Sequence, residues 1–134
     1  MITKQISVVI VESQPIMRTA LSTALSADGL NVLAEVADAR DVLQTASQLT
    51  PDLILFSVNE PSPNDLDRIS VLRGELPCTH IVALITGEFR GQFQSALDHG
   101  AHLVLTKSTP RWELLEAIKR MAQKKIYPAA VQVN

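Results

Sequence analysis

Five short apolar runs in this chain each end at a place where a polar side chain could gather with the others. Glu12 and Ser13 follow the first run, Ser57 ends the third, Ile85 or Thr86 follows the fourth, and Lys107 follows the fifth. The set offers one carboxylate, several hydroxyls and one ammonium. A hard divalent cation needs anionic oxygens, and Mg²⁺ is strict about geometry. With Ser13 and Ser57 neutral, Glu12 alone supplies charge, so Mg²⁺ binding is expected to be weak or lost. Ser57 with Lys107 is the one nucleophile–base couple available. Ser57 lies outside any G-x-S-x-G turn, and no oxyanion hole is identifiable. The preferred reading of Ser57 is an inert polar residue at a strand end. Lys107 is expected to pair with Glu12 across the crevice, with anion capture by that crevice as the alternative.

The elements that position these residues follow from periodicity. The runs Ile6–Val11, Asn31–Val36, Asp52–Ser57, Ile81–Ile85 and His102–Thr106 read as strands. Three are almost continuously apolar, as parallel strands covered on both faces should be. Helical stripes separate them: Ile16, Met17, Ala20, Leu21, Ala24 and Leu25 first, then Val42, Leu43, Ala46 and Leu49. Ile69 with Leu72, and Phe89, Phe93, Ala96 and Leu97, are weaker stripes. Leu114, Leu115, Ile118 and Met121 complete five helices.

Ser62-Pro63-Asn64-Asp65 and Thr109-Pro110 read as helix starts, and Asp38 as a cap for the second helix. Gly29 and Gly100 stand where helices should stop. Five βα units imply right-handed crossovers and an α/β, flavodoxin-like, doubly wound parallel sheet of order 2-1-3-4-5. Ligands in such sheets bind beyond the carboxyl ends of the strands, where the order reverses. That is where the polar set falls.

The composition narrows the function. With 134 residues, 46% hydrophobic and 19% charged, one well-cored domain is expected. Residues 1–124 are assigned to it, and 125–134 to a tail or the start of a linker. No apolar run is long enough to span a bilayer, and the first residues lack a signal-peptide core. One cysteine, Cys78, excludes an internal disulfide and suits a reducing cytoplasm. A net charge of −2 disfavours nucleic-acid binding by this chain alone. Lys119, Arg120, Lys124 and Lys125 are read as cations at a helix end. His99 and His102 lack a third partner, so no metal site is expected there.

Four segments then carry a resemblance. Val9-Ile-Val-Glu-Ser-Gln-Pro15 is similar to V-x-V-D-D-x-P, and Pro51-Asp-Leu-Ile-Leu-Phe-Ser-Val-Asn-Glu-Pro61 to P-D-x-x-x-x-D-x-x-M-P. Ile81–Gly87 resembles a fourth strand ending in Thr or Ser, and Gly100-Ala-His-Leu-Val-Leu-Thr-Lys107 resembles G-A-x-x-x-L-x-K. In this order the chain resembles bacterial two-component response-regulator receiver domains (the CheY-like group), above all those that precede helix-turn-helix domains of the LuxR type.

The resemblance implies a cytoplasmic, non-enzymatic signalling module, part of a bacterial phosphorelay that regulates transcription through an attached or partner output domain. It also implies that the acceptor aspartate is replaced by Ser57, half of the acidic pair by Ser13, and the relay aromatic by Val104, three residues before Lys107. At the hydroxyl position, Ile85 aligns without a gap and Thr86 with a one-residue insertion. The chain is therefore expected to be an atypical receiver, or pseudo-receiver, working without aspartyl phosphorylation and without a cofactor. Its contacts, with a protein partner or a second copy, are expected through the helix 4–strand 5–helix 5 face, with Phe89, Phe93 and Trp112 as candidate anchors.

Overall fold

The computed structural model describes residues 5–59, 61–124 and 126; the side chains of Phe89 and Arg90 lie outside the described part. The sheet contains β1 (Ser7–Val11), β2 (Asn31–Val36), β3 (Leu53–Val58), β4 (His80–Ile85) and β5 (Leu103–Thr106), all parallel, in the order 2-1-3-4-5. The helices are α1 (Pro15–Ala27), α2 (Val42–Leu49), α3 (Pro63–Glu75), α4 (Phe93–Asp98) and α5 (Arg111–Ala122). Strand boundaries fall within a residue of the apolar runs. The expected 125–134 tail lies, apart from Ile126, outside the described residues.

Alternation along each strand sorts its side chains between two cores. Val9, Val11, Ile54, Phe56, Ile81, Ala83 and Ile85 join one cluster with Val42 and Ala46 of α2 and Ile69 and Leu72 of α3. Val8, Ile10, Leu53, Leu55, Val82 and Leu84 join the other, with Leu21 and Leu25 of α1 and Leu114, Leu115 and Ile118 of α5. Both faces of the sheet are thus buried, which is why three strands read as unbroken apolar runs.

Several local expectations are corrected. Ile16 was placed in the buried stripe of α1, but it is 88% exposed; Leu21 and Leu25 carry the packing. Leu49 and Leu97, assigned to buried stripes, are each 40% exposed. The fourth helix begins only at Phe93, because a 3-10 segment occupies Gly87–Gln92. Asp38 caps the 3-10 turn Ala39–Asp41 by accepting from the Arg40 amide, one turn ahead of α2. Thr109 does not cap α5: Pro110 is the N-cap, and the first helical bond runs from the Leu114 amide to the Pro110 carbonyl.

Ser62 and Asp65 form a reciprocal capping box at the start of α3. Gly100 is needed where it stands. Its φ is +121°, and a Cβ there would sit 2.8 Å from Arg73 Cβ.

Candidate functional site

Strand parity brings the site together. Glu12 continues the alternation of Val8 and Ile10, Ser57 that of Leu53 and Leu55, and Lys107 that of Leu103 and Leu105. All three therefore emerge on the layer covered by α1 and α5, at the carboxyl edge of the sheet. Pairing of Ile85 with Thr106, followed by a bond from the Lys107 amide to the Ile85 carbonyl, brings Lys107 level with the tip of β4.

Glu12 is the hub. Its side chain is fully buried. Its Oε1 accepts from Ser57 Oγ at 2.6 Å and from Lys107 Nζ at 2.9 Å. Its Oε2 accepts from the Gln14 amide at 3.1 Å. Burial alone would raise the carboxyl pKa. The Ser57 hydroxyl, the Lys107 ammonium and the Gln14 amide outweigh burial and hold Glu12 below its ordinary range, as a carboxylate. Arg18 donates to the Glu12 carbonyl at 2.9 Å and tethers α1 to the end of β1.

Lys107 makes a second bond, to Asn59 Oδ1 at 2.8 Å, which links β5 to the loop after β3. Asn59 was missed in the sequence. A polar residue two positions after Ser57 was the only signal, and its partner is 48 positions away.

Ser57 is 3% exposed, and its hydroxyl proton points at Glu12. The described residues include no Ser57–Lys107 hydrogen bond; both donors converge on one carboxylate oxygen. Lys107 is therefore committed as a cation, and the lowered Glu12 is a weak base, so the arrangement lacks an activated nucleophile.

Ser13 is exposed at the mouth. Ile85 is buried in the core opposite Glu12, with Ala83 and Ile81, whereas Thr86 lies half-buried just past β4. Val104 is half-buried against the same core as Ile85. The crevice beside Ser57 measures about 480 Å³ and is walled by Ser13, Asn59, Asp38 and Asp65. Arg40 already engages Asp38 and pulls its carboxyl down to about 2, while Asp65 is occupied in the capping box.

A resident Mg²⁺ would require free anionic oxygens at the strand tips. Among the described residues, Glu12 is the one carboxylate at the tips of β1, β3 and β5; both its oxygens already accept bonds, and an ammonium sits on one of them. The donor set does not fit that ion. Of the other expected residues, Phe93 is half-buried against the core, the Phe89 side chain is outside the described part, and Trp112 is 66% exposed. His99 donates within its own helix end, to the Ser95 carbonyl.

Comparison with known proteins agrees with this architecture. Residues 8–119 match the model of the response regulator receiver domain. The chain is 29% identical over 120 residues to a nitrate/nitrite response regulator homolog of Haemophilus influenzae, covering 89% of this chain and 58% of that protein. It is 31% identical to the nitrate/nitrite response regulator NarP of Escherichia coli, covering 87% and 54%. It thus spans little more than half the length of these relatives.

Among solved structures, the receiver domain of a putative response regulator NarL from Mycobacterium tuberculosis superposes with a TM-score of 0.80 at 24% identity, covering 92% of this chain and all of that one. A response regulator from Thermotoga maritima gives 0.79 at 22%, covering 90% of this chain and all of that one. Sheet order, strand-tip site and family match lead to one assignment: the chain belongs to the response-regulator receiver family.

Proposed function

We propose that this receiver signals without aspartyl phosphorylation, as a pseudo-receiver that acts through protein contacts. One observation carries the reading. Where the family places its acceptor carboxylate, the Ser57 hydroxyl donates to Glu12, and the Lys107 ammonium occupies the same carboxylate oxygen. An internal cation thus stands in for metal charge, and Mg²⁺ binding is weak or lost. The register supports the same conclusion at the relay. Ile85 lies at the strand tip level with Lys107, and Val104 supplies no ring to reorient. The module is a non-enzymatic, cytoplasmic component of a bacterial pathway.

The relatives are named as transcriptional and nitrate/nitrite regulators. By analogy, the output is control of an attached or partner DNA-binding domain, with no nucleic-acid contact by this chain itself. The α4–β5–α5 face, where Leu97 is 40% exposed, is the surface for a partner protein. Anion sensing in the crevice is less favoured, because both Lys107 contacts are internal and the walls carry Asp38 and Asp65.

The test is incubation with acetyl phosphate and Mg²⁺, read by intact mass. An unchanged mass is expected under conditions that load an ordinary receiver. A Mg²⁺-dependent phosphoryl adduct in the crevice would overturn the reading.

A further inference from the structure

Behind the strand tips, a groove between α1 and α5 shares only Lys107 with the site described above. Its origin lies in side-chain size. Helix α1 packs on β1 and β2 and α5 on β4, with β3 between them in the sheet. Toward α5, α1 offers Ala20 and Ala24, one turn apart, and a methyl group cannot reach across. The gap that remains holds about 240 Å³. Leu84 of β4 and Leu114 and Leu115 of α5, all buried, line it.

The polar groups of the groove are of one kind. Lys107, Thr109 and Arg111 line it, and among the described residues no carboxylate does. The crevice beside Ser57 is the reverse, walled by Asp38 and Asp65. Arg111 stands exposed in the first turn of α5, and among the described residues it has no hydrogen-bond or ion-pair partner. Asp28 and Glu116, which share a neighbouring recess with Arg111, are taken by Lys119 and Arg120. The Arg111 guanidinium therefore leaves an unbalanced positive charge at the rim of an apolar recess. Lys107 adds a second cation to the same lining, with two of its three protons engaged by Glu12 and Asn59.

This combination selects a ligand class. A cation is repelled. An inorganic anion leaves the leucine walls wet, and a neutral apolar molecule leaves Arg111 unused. A molecule with an apolar body and one anionic head satisfies both parts, and a carboxylate matches the planar fork of a guanidinium. Size sets the body: a cavity of about 150 Å³ holds a benzene ring, so this one suits roughly eight carbons.

We infer that the α1/α5 groove binds a small amphipathic carboxylate, its apolar body against Leu84, Leu114 and Leu115 and its head on Arg111. The site is separate from the Ser57 crevice. It does not rest on the loss of phosphorylation, and its test uses neither phosphodonor nor Mg²⁺.

Octanoate is the probe, octanamide its neutral counterpart, and acetate the head without the body. Each is titrated into the 134-residue chain while the methyl NMR signals of Ala20, Ala24, Leu114 and Leu115 are followed. Octanoate should shift them saturably, with a Kd of roughly a millimolar or below for a ligand of about ten non-hydrogen atoms. Octanamide should bind roughly fivefold more weakly, as expected when an exposed charge pair is lost, and acetate should give no saturable shift. Arg111→Gln should weaken octanoate by about the same factor and leave octanamide unchanged. Ala24→Leu fills the groove and should abolish binding of both. Ala20→Leu, at an exposed position, should do the same without burdening the core. Arg120→Gln, on α5 but outside the groove, should change neither ligand. Circular dichroism confirms that each variant is folded.

Octanoate shifts that never saturate, or that appear at Asn59 and Asp65 instead of these methyls, would overturn the inference. So would octanamide binding as tightly as octanoate, which would make the recess merely apolar. Equal losses in Arg111→Gln and Arg120→Gln would assign the effect to net charge, and octanoate binding retained in folded Ala20→Leu would place the ligand elsewhere; either result overturns it as well.

Discussion

At the scale of single residues, the decisive group is a buried carboxylate with three donors. Glu12 is fully buried, and the Lys107 side chain is only 10% exposed. Removing one partner from such a pair strands the other charge, typically at a cost of about 3 kcal/mol or more. Lys107→Ala should therefore lower the melting temperature by roughly 10 °C for a domain of this size. The double variant Glu12→Gln/Lys107→Met should recover part of the loss, because it removes the stranded charge. An unchanged melting temperature in Lys107→Ala would show that the pair is not structural.

The pH dependence has a definite sign. The folded Glu12 pKa lies below its ordinary 4.5, so its contribution is complete above 4.5 and disappears as pH falls through the folded value. In Lys107→Ala the ammonium is gone, and acid unfolding should begin at a higher pH than in the wild type. A Lys107–Glu12 pairing was legible in the sequence, because each residue ends a strand at the switch in strand order. The Asn59 link was not, since a loop side chain's partner depends on how far Lys107 reaches after the chain has folded.

At the scale of elements, the strands were legible and the helix faces less so. A strand buried on both sides leaves an apolar run that only its length can qualify. Helix α1 is apolar around more than half its circumference, so periodicity could not tell which flank meets the sheet. Ile16 was assigned to the core for that reason, while packing selected Leu21 and Leu25. At α5 the cap slipped by one residue, from Thr109 to Pro110, whose side chain makes no capping bond.

One element-level device escaped the sequence altogether. His102 accepts a hydrogen bond from the Ile81 amide at its Nδ1, 2.9 Å away, while its own amide donates to the Ile81 carbonyl at 2.8 Å. The ring thus serves as a surrogate carbonyl at the start of β5, with its proton on Nε2. Burial, with Arg73 and His80 adding to it, lowers the His102 pKa from 6.5 to about 4. The folded state therefore binds this proton less readily than the unfolded chain does. Stability is complete above about pH 6.5 and declines as pH falls toward about 4. Urea midpoints measured across that range should fall in the wild type and flatten in His102→Gln. An identical slope in the variant would place the acid sensitivity elsewhere.

At the scale of the whole molecule, the proposed reading is of a receiver scaffold that has parted from its metal-dependent chemistry. Two packed cores and a five-stranded sheet hold the strand tips where a metal-dependent receiver would need them, yet among the described residues the tips of β1, β3 and β5 carry one carboxylate, Glu12, bonded to one ammonium, Lys107. On the proposed reading, that balance takes the place of an ion. Putting charge back should make the domain depend on one. Ser13→Asp with Ser57→Asp would place two further carboxylates beside Glu12 and change the net charge from −2 to −4. Clustered carboxylates repel, so the double variant should melt below the wild type in the presence of a chelator. An ion that binds only the folded state stabilises it in proportion to the logarithm of its concentration, by about 2.7 kcal/mol at a hundred times its dissociation constant. Millimolar Mg²⁺ should therefore raise the melting temperature of the double variant and leave that of the wild type unchanged. A wild-type melting temperature that climbs with Mg²⁺, and loses the response in Glu12→Gln, would mean that Glu12 holds the ion despite Lys107. A double variant indifferent to Mg²⁺ would mean that Lys107 and Asn59 still occupy the cleft, and that more than carboxylates has been lost from this site.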